Sequence, residues 1–283
     1  MCEKMLRVGV SIRSDESLVR RVSALGISCV ELAYFPPLEG RIGSLSEALS
    51  SSGVKAASFH APYGVACDIG NFDPERRKSA LGQHKKHIEY CASLGSEYYV
   101  IHPGFDNYLF SKGGTWDDAR KVATFPREES TIGKLWETNA SSLSELADFA
   151  AEVGVKIALE TGPPNIMTPE ETLSVVRMAD RKNLGVCLDS GHVNVGGTIN
   201  PADAIREVGR LLWTLHLHDN NGDGDFHLVP GKGNIDWKSV AKALGDVSYN
   251  GVLNLELPRA DWNSKETWKD IEDGVLFLRN IFA

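Results

Sequence analysis

The sequence lacks the long apolar runs that would mark a membrane span or a secretory signal. No stretch approaches the ~18 uncharged apolar residues of a transmembrane helix. The opening segment, MCEKMLRVGVSIRSDES, has no apolar core of the signal-peptide kind. We therefore expect a soluble, cytoplasmic protein that does not interact with membranes.

Cysteine and basic residues are also scarce. The chain has 5 cysteines among 283 residues, none in a CxxC pair, and a chain of this length needs no disulfides to fold. We expect reduced thiols, mostly in the core. The 30 Lys and Arg against 38 Asp and Glu give a net charge of −8, which argues against sequence-independent binding to a nucleic-acid backbone.

What the sequence does contain is an alternation of short apolar runs with amphipathic segments. The runs lie at residues 6–12, 29–34, 54–60, 98–102, 155–160, 184–189, 211–218 and 251–256. Runs that are apolar throughout are typical of parallel strands covered by helices. Eight such units predict an α/β fold, a single (β/α)8 TIM barrel over residues 1–283. A doubly wound open sheet is the alternative, but no GxGxxG follows the first run.

One connection is much longer than a minimal barrel requires. Residues 103–130 follow the fourth run and contain Phe105, Tyr108, Phe110 and Trp116. Two interpretations stay open: a lid over an active site, or a surface excursion whose aromatic rings pack on the barrel rim.

Polar residues stand at the ends of the predicted strands, where the βα loops of a barrel surround one cavity. Six of the eight runs end in such residues, which are His60, His102, Glu160, Asp189, His216 with His218, and Glu256. Several carboxylates and imidazoles in one cavity would repel each other or lack partners unless a cation neutralised them. The pattern therefore predicts a divalent metal, with His192 facing the same cavity from the loop after Asp189.

By contrast, His84 and His87 lie in a helical pattern among Lys and Glu, and we expect them to face solvent.

These motifs, taken in order, resemble the xylose isomerase-like TIM barrel superfamily. They are SFHAPY, VIHPG, IALETG, GVCLDSGH, LHLHDNNGDGDFHLVPGKGNIDW and NLELP. The group includes sugar or sugar phosphate isomerases and epimerases, and also endonuclease IV. In epimerase-like members one divalent metal is held by four residues, which here match Glu160, Asp189, His216 and Glu256. The endonuclease uses three zincs, and its additional ligands match His60, His102, His192, Asp225 and His227.

The resemblance favours a metal-dependent isomerase or epimerase of a small sugar or sugar-like polyhydroxy carbonyl compound, acting by proton transfer through an enediolate. Glu160 and Glu256 would be both metal ligands and the acid/base pair. His102, His192 and Lys232 would bind substrate hydroxyls or a phosphate. Zn²⁺, Mn²⁺, Mg²⁺ and Co²⁺ all suit such a site. The sequence is compatible with a homo-oligomer.

Two other functions remain as alternatives. One is an endonuclease IV-like multi-zinc phosphodiesterase acting on abasic DNA. Three features argue against it: the negative net charge, the motif DSGH in place of DTCH, and Gly64 after Tyr63, where a bulky residue that enters the DNA is expected. The other is a non-catalytic sugar-binding barrel that keeps its metal, against which stand the intact Glu160 and Glu256.

Overall fold

A computed structural model describes residues 6–104, 129–162, 167–197, 199–257 and 261–282. Residues 105–128, which make up most of the predicted lid, lie outside the described residues, so the choice between lid and excursion stays a prediction.

Eight strands alternate with helices along the chain. The strands are β1 (Arg7–Arg13), β2 (Cys29–Ala33), β3 (Lys55–His60), β4 (Tyr98–Ile101), β5 (Lys156–Glu160), β6 (Leu184–Asp189), β7 (Leu212–His216) and β8 (Val252–Leu255). Each falls within two residues of its predicted run. The apolar runs predicted the strands well because most strand residues are buried, between the helices and the barrel interior.

The helices within the described ranges surround the strands. They are α1 (Glu16–Ala24), α2 (Ile42–Ser52), α3 (Pro74–Ser93), α4 (Glu129–Glu152), α5 (Pro169–Ala179), α6 (Ser190–Asn194), α7 (Pro201–Val208), α8 (Trp237–Asp246) and α9 (Lys265–Ile281). Several begin with a side-chain cap, such as Asp15 before α1 and the Thr168–Glu171 capping box of α5. None of these helices combines the length and apolar character that crossing a bilayer requires.

The strands form one parallel sheet in the order β7-β6-β5-β4-β3-β2-β1-β8. The ends of this sheet meet beyond β7 and β8, where Leu217 and Leu255 form a parallel bridge. The Leu217 amide donates to the Asn254 carbonyl at 2.8 Å, and the Glu256 amide donates to the Leu217 carbonyl at 3.1 Å. The sheet is therefore a nearly closed barrel, as the sequence predicted, with the carboxyl ends of all eight strands around one mouth.

The thiols agree with the sequence prediction. Cys29, Cys91 and Cys187 are buried and Cys67 is partly buried, and these four cysteines of the described residues are free. Burial raises the pKa of Cys91 and Cys187, so both are inert, neutral members of the core.

Candidate active site and metal centre

Four strand ends bring one acidic or imidazole side chain each to the same point in the barrel mouth. Glu160, Asp189 and His216 are the last residues of β5, β6 and β7, and Glu256 directly follows β8. One potential ligand atom from each of the four lies within 4.8 Å of those of the other three. The structure thus brings together the four residues that the sequence singled out as metal ligands.

His216 lies at the centre of this group. Its Nδ1 lies 3.1 Å from Glu160 Oε1, 3.4 Å from Glu256 Oε2 and 3.8 Å from Asp189 Oδ2. Glu160, Asp189 and His216 are almost fully buried, and Glu256 retains slight exposure towards the mouth. The four side chains therefore form a compact, largely desolvated cluster with one side open.

The cluster fits a divalent cation. Within the described part of the chain, no hydrogen bond of good geometry reaches the buried atoms Glu160 Oε2 and Glu256 Oε2. Three carboxylates this close repel one another unless positive charge compensates them. Three carboxylates and one imidazole form a mixed oxygen and nitrogen donor set that suits Mn²⁺, Mg²⁺, Co²⁺ or Zn²⁺.

The neighbouring histidines show how strong the negative potential is. Burial alone would lower the pKa of His60, but the carboxylates of Glu160 and Glu31 raise it to about 9. Burial opposes charge on Glu160 as well, yet His102 and His216 hold its pKa well below the usual range. A cation bound among these carboxylates would compensate the same negative charge.

A second cluster adjoins the first and comes largely from the loop after β7. It consists of His192, His218, Asp225 and His227, whose potential ligand atoms also lie within 4.8 Å of one another. Asp225 Oδ2 lies 3.3 Å from His192 Nε2 and 3.2 Å from His227 Nε2. The His218 and His227 rings stack with centroids 3.7 Å apart.

His60 and His102 lie on the other side of Glu160. Their Nε2 atoms are 3.4 Å and 3.1 Å from Glu160 Oε2, and 3.2 Å from each other. His60, Glu160 and His216 form a third potential ligand group. All five residues predicted as additional ligands therefore lie beside the four-residue cluster or belong to the second cluster. Their role in metal binding stays a prediction.

The predicted substrate-binding residues differ in placement. His102 is a quarter exposed and stacks on Tyr63. His192 lies on the short helix α6, whose N-cap is Asp189. Lys232 is exposed on the turn before Asn234. Among the described contacts, none joins the Lys232 side chain to the cluster, so its role stays a prediction.

The expectation that His84 and His87 face solvent is wrong. Both are buried on the inner face of α3, where His84 hydrogen-bonds to Tyr99 Oη and the Cys67 carbonyl, each at 2.8 Å. His87 packs edge-on against Tyr34 at 4.1 Å. The buried positions of α3 follow helical spacing, and they are Ala80, Leu81, His84, His87, Ile88 and Cys91. The neighbouring Lys and Glu concealed this stripe, although the spacing itself could have revealed it.

Glu31 is the site residue that sequence reasoning missed. It lies in β2, it is buried, and its Oε1 is 2.9 Å from His216 Nε2. Burial raises the pKa of Glu31, but the charges and hydrogen bonds of His216 and its other neighbours outweigh burial and bring it to about 2. A lone carboxylate within the apolar run CVELA was the available signal, because such a group must find a partner inside the barrel.

A parallel barrel with a carboxylate and imidazole cluster at the carboxyl ends of its strands has the architecture of the TIM-barrel enzymes. The sequence model of one family, the xylose isomerase-like TIM barrel, matches residues 19–281, and the chain belongs to that family.

Individual relatives and one solved structure agree with this membership. An uncharacterised protein of Methanocaldococcus jannaschii is 33% identical over 70% of this chain and 62% of its own length. A D-psicose 3-epimerase of Enterocloster bolteae is 34% identical over 83% of this chain and 74% of its own. The crystal structure of a D-tagatose 3-epimerase-like protein superposes with a TM-score of 0.74 at 27% identity, covering 97% of this chain and 98% of the other.

Proposed function

We propose that the protein is a divalent-metal-dependent epimerase or isomerase of a small ketose or related polyhydroxy carbonyl compound. The observation that carries this proposal is the meeting of Glu160, Asp189, His216 and Glu256 within 4.8 Å, with two buried glutamate oxygens that accept no hydrogen bond of good geometry from the described residues. The similarity to named ketose epimerases supports the substrate class.

The metal would be held by Glu160, Asp189, His216 and Glu256. When bound, it would supply Lewis-acid stabilisation of the negative charge that develops on substrate oxygens. The chain itself supplies the proton transfer. Glu160 and Glu256 come from strands separated by β6 and β7, so their carboxylates reach the mouth from different directions.

In the proposed reaction, one of these glutamates accepts the proton from the carbon next to the substrate carbonyl. The electron pair of the broken C–H bond passes into the carbonyl, which gives an enediolate. The other glutamate, in its protonated form, donates a proton to the opposite face of the same carbon. The product is the epimer, and the two glutamates exchange roles for the reverse reaction.

Neighbouring residues would orient the substrate. His192 Nδ1 lies 2.8 Å from the Thr161 carbonyl, which fixes the ring with its other nitrogen towards Asp225. His102 is the more accessible of the two imidazoles and could donate to a hydroxyl. Lys232 would meet only a substrate long enough to reach the surface, such as one that bears a phosphate.

The test is a panel of ketoses, keto-inositols and keto-acids incubated with protein loaded with Mn²⁺, Co²⁺, Mg²⁺ or Zn²⁺. We expect the metal-loaded protein to convert at least one ketose to an epimer. Samples treated with a chelator should convert none. Absence of conversion with every metal and every carbonyl compound would contradict the proposal and favour the non-catalytic, sugar-binding alternative.

The second cluster of His192, His218, Asp225 and His227 favours one further candidate, a multi-zinc phosphodiesterase of the endonuclease IV type. Clustered metals suit phosphodiester cleavage. Metal analysis separates the two functions, since about one metal per chain is expected for the epimerase and about three zincs for the phosphodiesterase. Nicking of abasic duplex DNA at catalytic protein levels would favour the latter.

A further inference from the structure

We propose that Glu31 is a positioning residue for the metal centre, and that it holds His216 in the tautomer whose Nδ1 lone pair faces the other three ligands. This inference rests on the proposed metal-dependent function. It concerns a residue that never reaches the mouth of the barrel, because Glu31 is only 1% exposed.

The contact between the two side chains is close and involves both carboxylate oxygens. Glu31 Oε1 lies 2.9 Å and Oε2 3.1 Å from His216 Nε2. On the opposite edge of the same ring, Nδ1 faces Glu160, Glu256 and Asp189. The imidazole thus bridges Glu31 and the proposed metal ligands, with one nitrogen for each side.

Glu31 is itself held by side chains from three other strands. Ser11 Oγ of β1 donates to Oε1 at 2.8 Å, Ser58 Oγ of β3 donates to Oε2 at 2.7 Å, and Asn254 Nδ2 of β8 donates to Oε1 at 3.3 Å. These bonds fix the carboxylate on rigid elements of the barrel. Glu31 therefore has little freedom to turn away from His216.

The donor and acceptor chemistry then determines the tautomer. An ionised carboxylate only accepts hydrogen bonds, so the proton of a neutral His216 must lie on Nε2. Nδ1 is then left with a lone pair, which is what a metal ligand requires. A carboxylate behind a ligating histidine commonly orients the ring and increases its basicity.

A purely structural role for Glu31 predicts different results from a positioning role. If Glu31 only satisfies Ser11, Ser58 and Asn254, an isosteric amide would alter stability and leave the properties of His216 unchanged. If Glu31 selects the tautomer, Glu31→Gln lets an amide N–H face Nε2 and favours the tautomer with the proton on Nδ1. That proton would compete directly with the metal.

The experiment is ¹⁵N NMR of the histidine side chains in the full-length protein, titrated with Zn²⁺, together with Zn²⁺ affinity from competition with a chelator. The His216 signals are assigned with His216→Gln. In the wild type, we expect Zn²⁺ to shift Nδ1 while Nε2 stays protonated. In Glu31→Gln we expect a Zn²⁺ affinity about 10- to 100-fold weaker, the range found for partners of ligating histidines.

Two further variants sharpen the test. Ser58→Ala removes one hydrogen bond to Glu31 but keeps the carboxylate on His216, so its Zn²⁺ affinity should stay close to that of the wild type. Glu31→Asp keeps a carboxylate acceptor but places it further from Nε2, so its Zn²⁺ affinity should lie between those of the wild type and Glu31→Gln. If Glu31→Gln does not fold, Glu31→Asp is compared with the wild type instead.

Zn²⁺ bound through Nε2 in the wild type, or wild-type affinity in the folded Glu31 variants, would overturn the inference. Failure of the proposed metal-dependent function gives a different result. In that case the wild type itself would show no Zn²⁺-dependent shift at His216, and Asp189→Asn would leave the measured metal content unchanged.

Discussion

Buried histidines in this protein acquire opposite properties from their surroundings. His60 lies beside carboxylates, and its pKa is raised to about 9 despite burial. His84 is equally buried but hydrogen-bonds to a tyrosine hydroxyl and a backbone carbonyl, and burial lowers its pKa to about 4. The charge of a histidine therefore depends on which strand or helix places it, and not on its depth alone.

The pKa of His84 predicts an acid-sensitive stability. Because the folded pKa of about 4 lies below the ordinary value of 6.5, the unfolded chain binds more protons between these two values. The free energy of unfolding should fall as the pH falls through this window, by up to about 1.4 kcal/mol per pH unit for one histidine. In the variant His84→Gln, the free energy of unfolding should fall less steeply as the pH falls. Urea unfolding of both proteins across this range measures the two slopes, and parallel slopes would refute the assignment.

Individual residues also show where sequence reasoning works. The sequence revealed Glu160, Asp189 and His216, because the end of a strand is recognisable from the apolar run before it. In a barrel, the carboxyl ends of the strands surround one mouth, so these residues were expected to lie together. Glu31 could not be placed in the same way, since its partner is 185 positions away in the chain and only closure of the barrel brings the two together.

Among the elements, the connection from β7 to α8 contributes most to the site, since it carries His218, Asp225 and His227. Its conformation depends on Asp219, which is fully buried. Asp219 Oδ1 accepts hydrogen bonds from the amides of Asn220 and Ile235, and Oδ2 accepts from the Gly231 amide and from Trp237 Nε1. One carboxylate thus fastens both ends of the loop.

Asp219→Ala should therefore destabilise the protein by about 3 kcal/mol, because it leaves several buried N–H donors without an acceptor. Asp223→Ala is the matched control, since Asp223 lies exposed in the same loop and its loss should change the stability by less than about 0.5 kcal/mol. Urea unfolding gives both values. Equal stabilities of the two variants would show that Asp219 does not fasten the loop.

The sequence predicted the existence of this loop and its His and Asp residues, but not the central role of Asp219. Its partners include donors 12 and 18 positions away, and such contacts leave no periodic signal. Strands were easier to predict than helix faces. Every strand contains an apolar run, whereas the inner face of α3 is partly built from histidines.

For the whole molecule, the proposed metal site coincides with the point where the barrel closes. His216 precedes Leu217 and Glu256 follows Leu255, the two residues of the bridge between the ends of the sheet. A cation held by both side chains would link these ends directly. Metal binding should therefore stabilise the complete fold rather than one loop.

We expect saturating metal to raise the Tm of the wild type by on the order of 5 °C, since a ligand at 100 times its Kd stabilises the native state by about 2.7 kcal/mol. Asp189→Asn should lose most of this gain. Asp223→Ala should keep it, because it changes an acidic side chain outside the cluster. Calorimetry with and without metal measures the shifts, and an equal gain in all three proteins would contradict the assignment of the ligands.

The central claim is that Glu160 and Glu256 move a proton to and from a carbon of the substrate, and deuterium incorporation tests it most directly. The metal-loaded protein is incubated in D₂O with a ketose such as D-psicose, and ¹H NMR follows the carbon-bound hydrogen next to the carbonyl. The account predicts that the wild type introduces solvent deuterium at that carbon as the epimer forms. Glu160→Gln and Glu256→Gln should each slow this about 10²- to 10⁴-fold, with some metal still bound. Incorporation at the wild-type rate in either variant, or epimer formed without any solvent deuterium, would contradict the account.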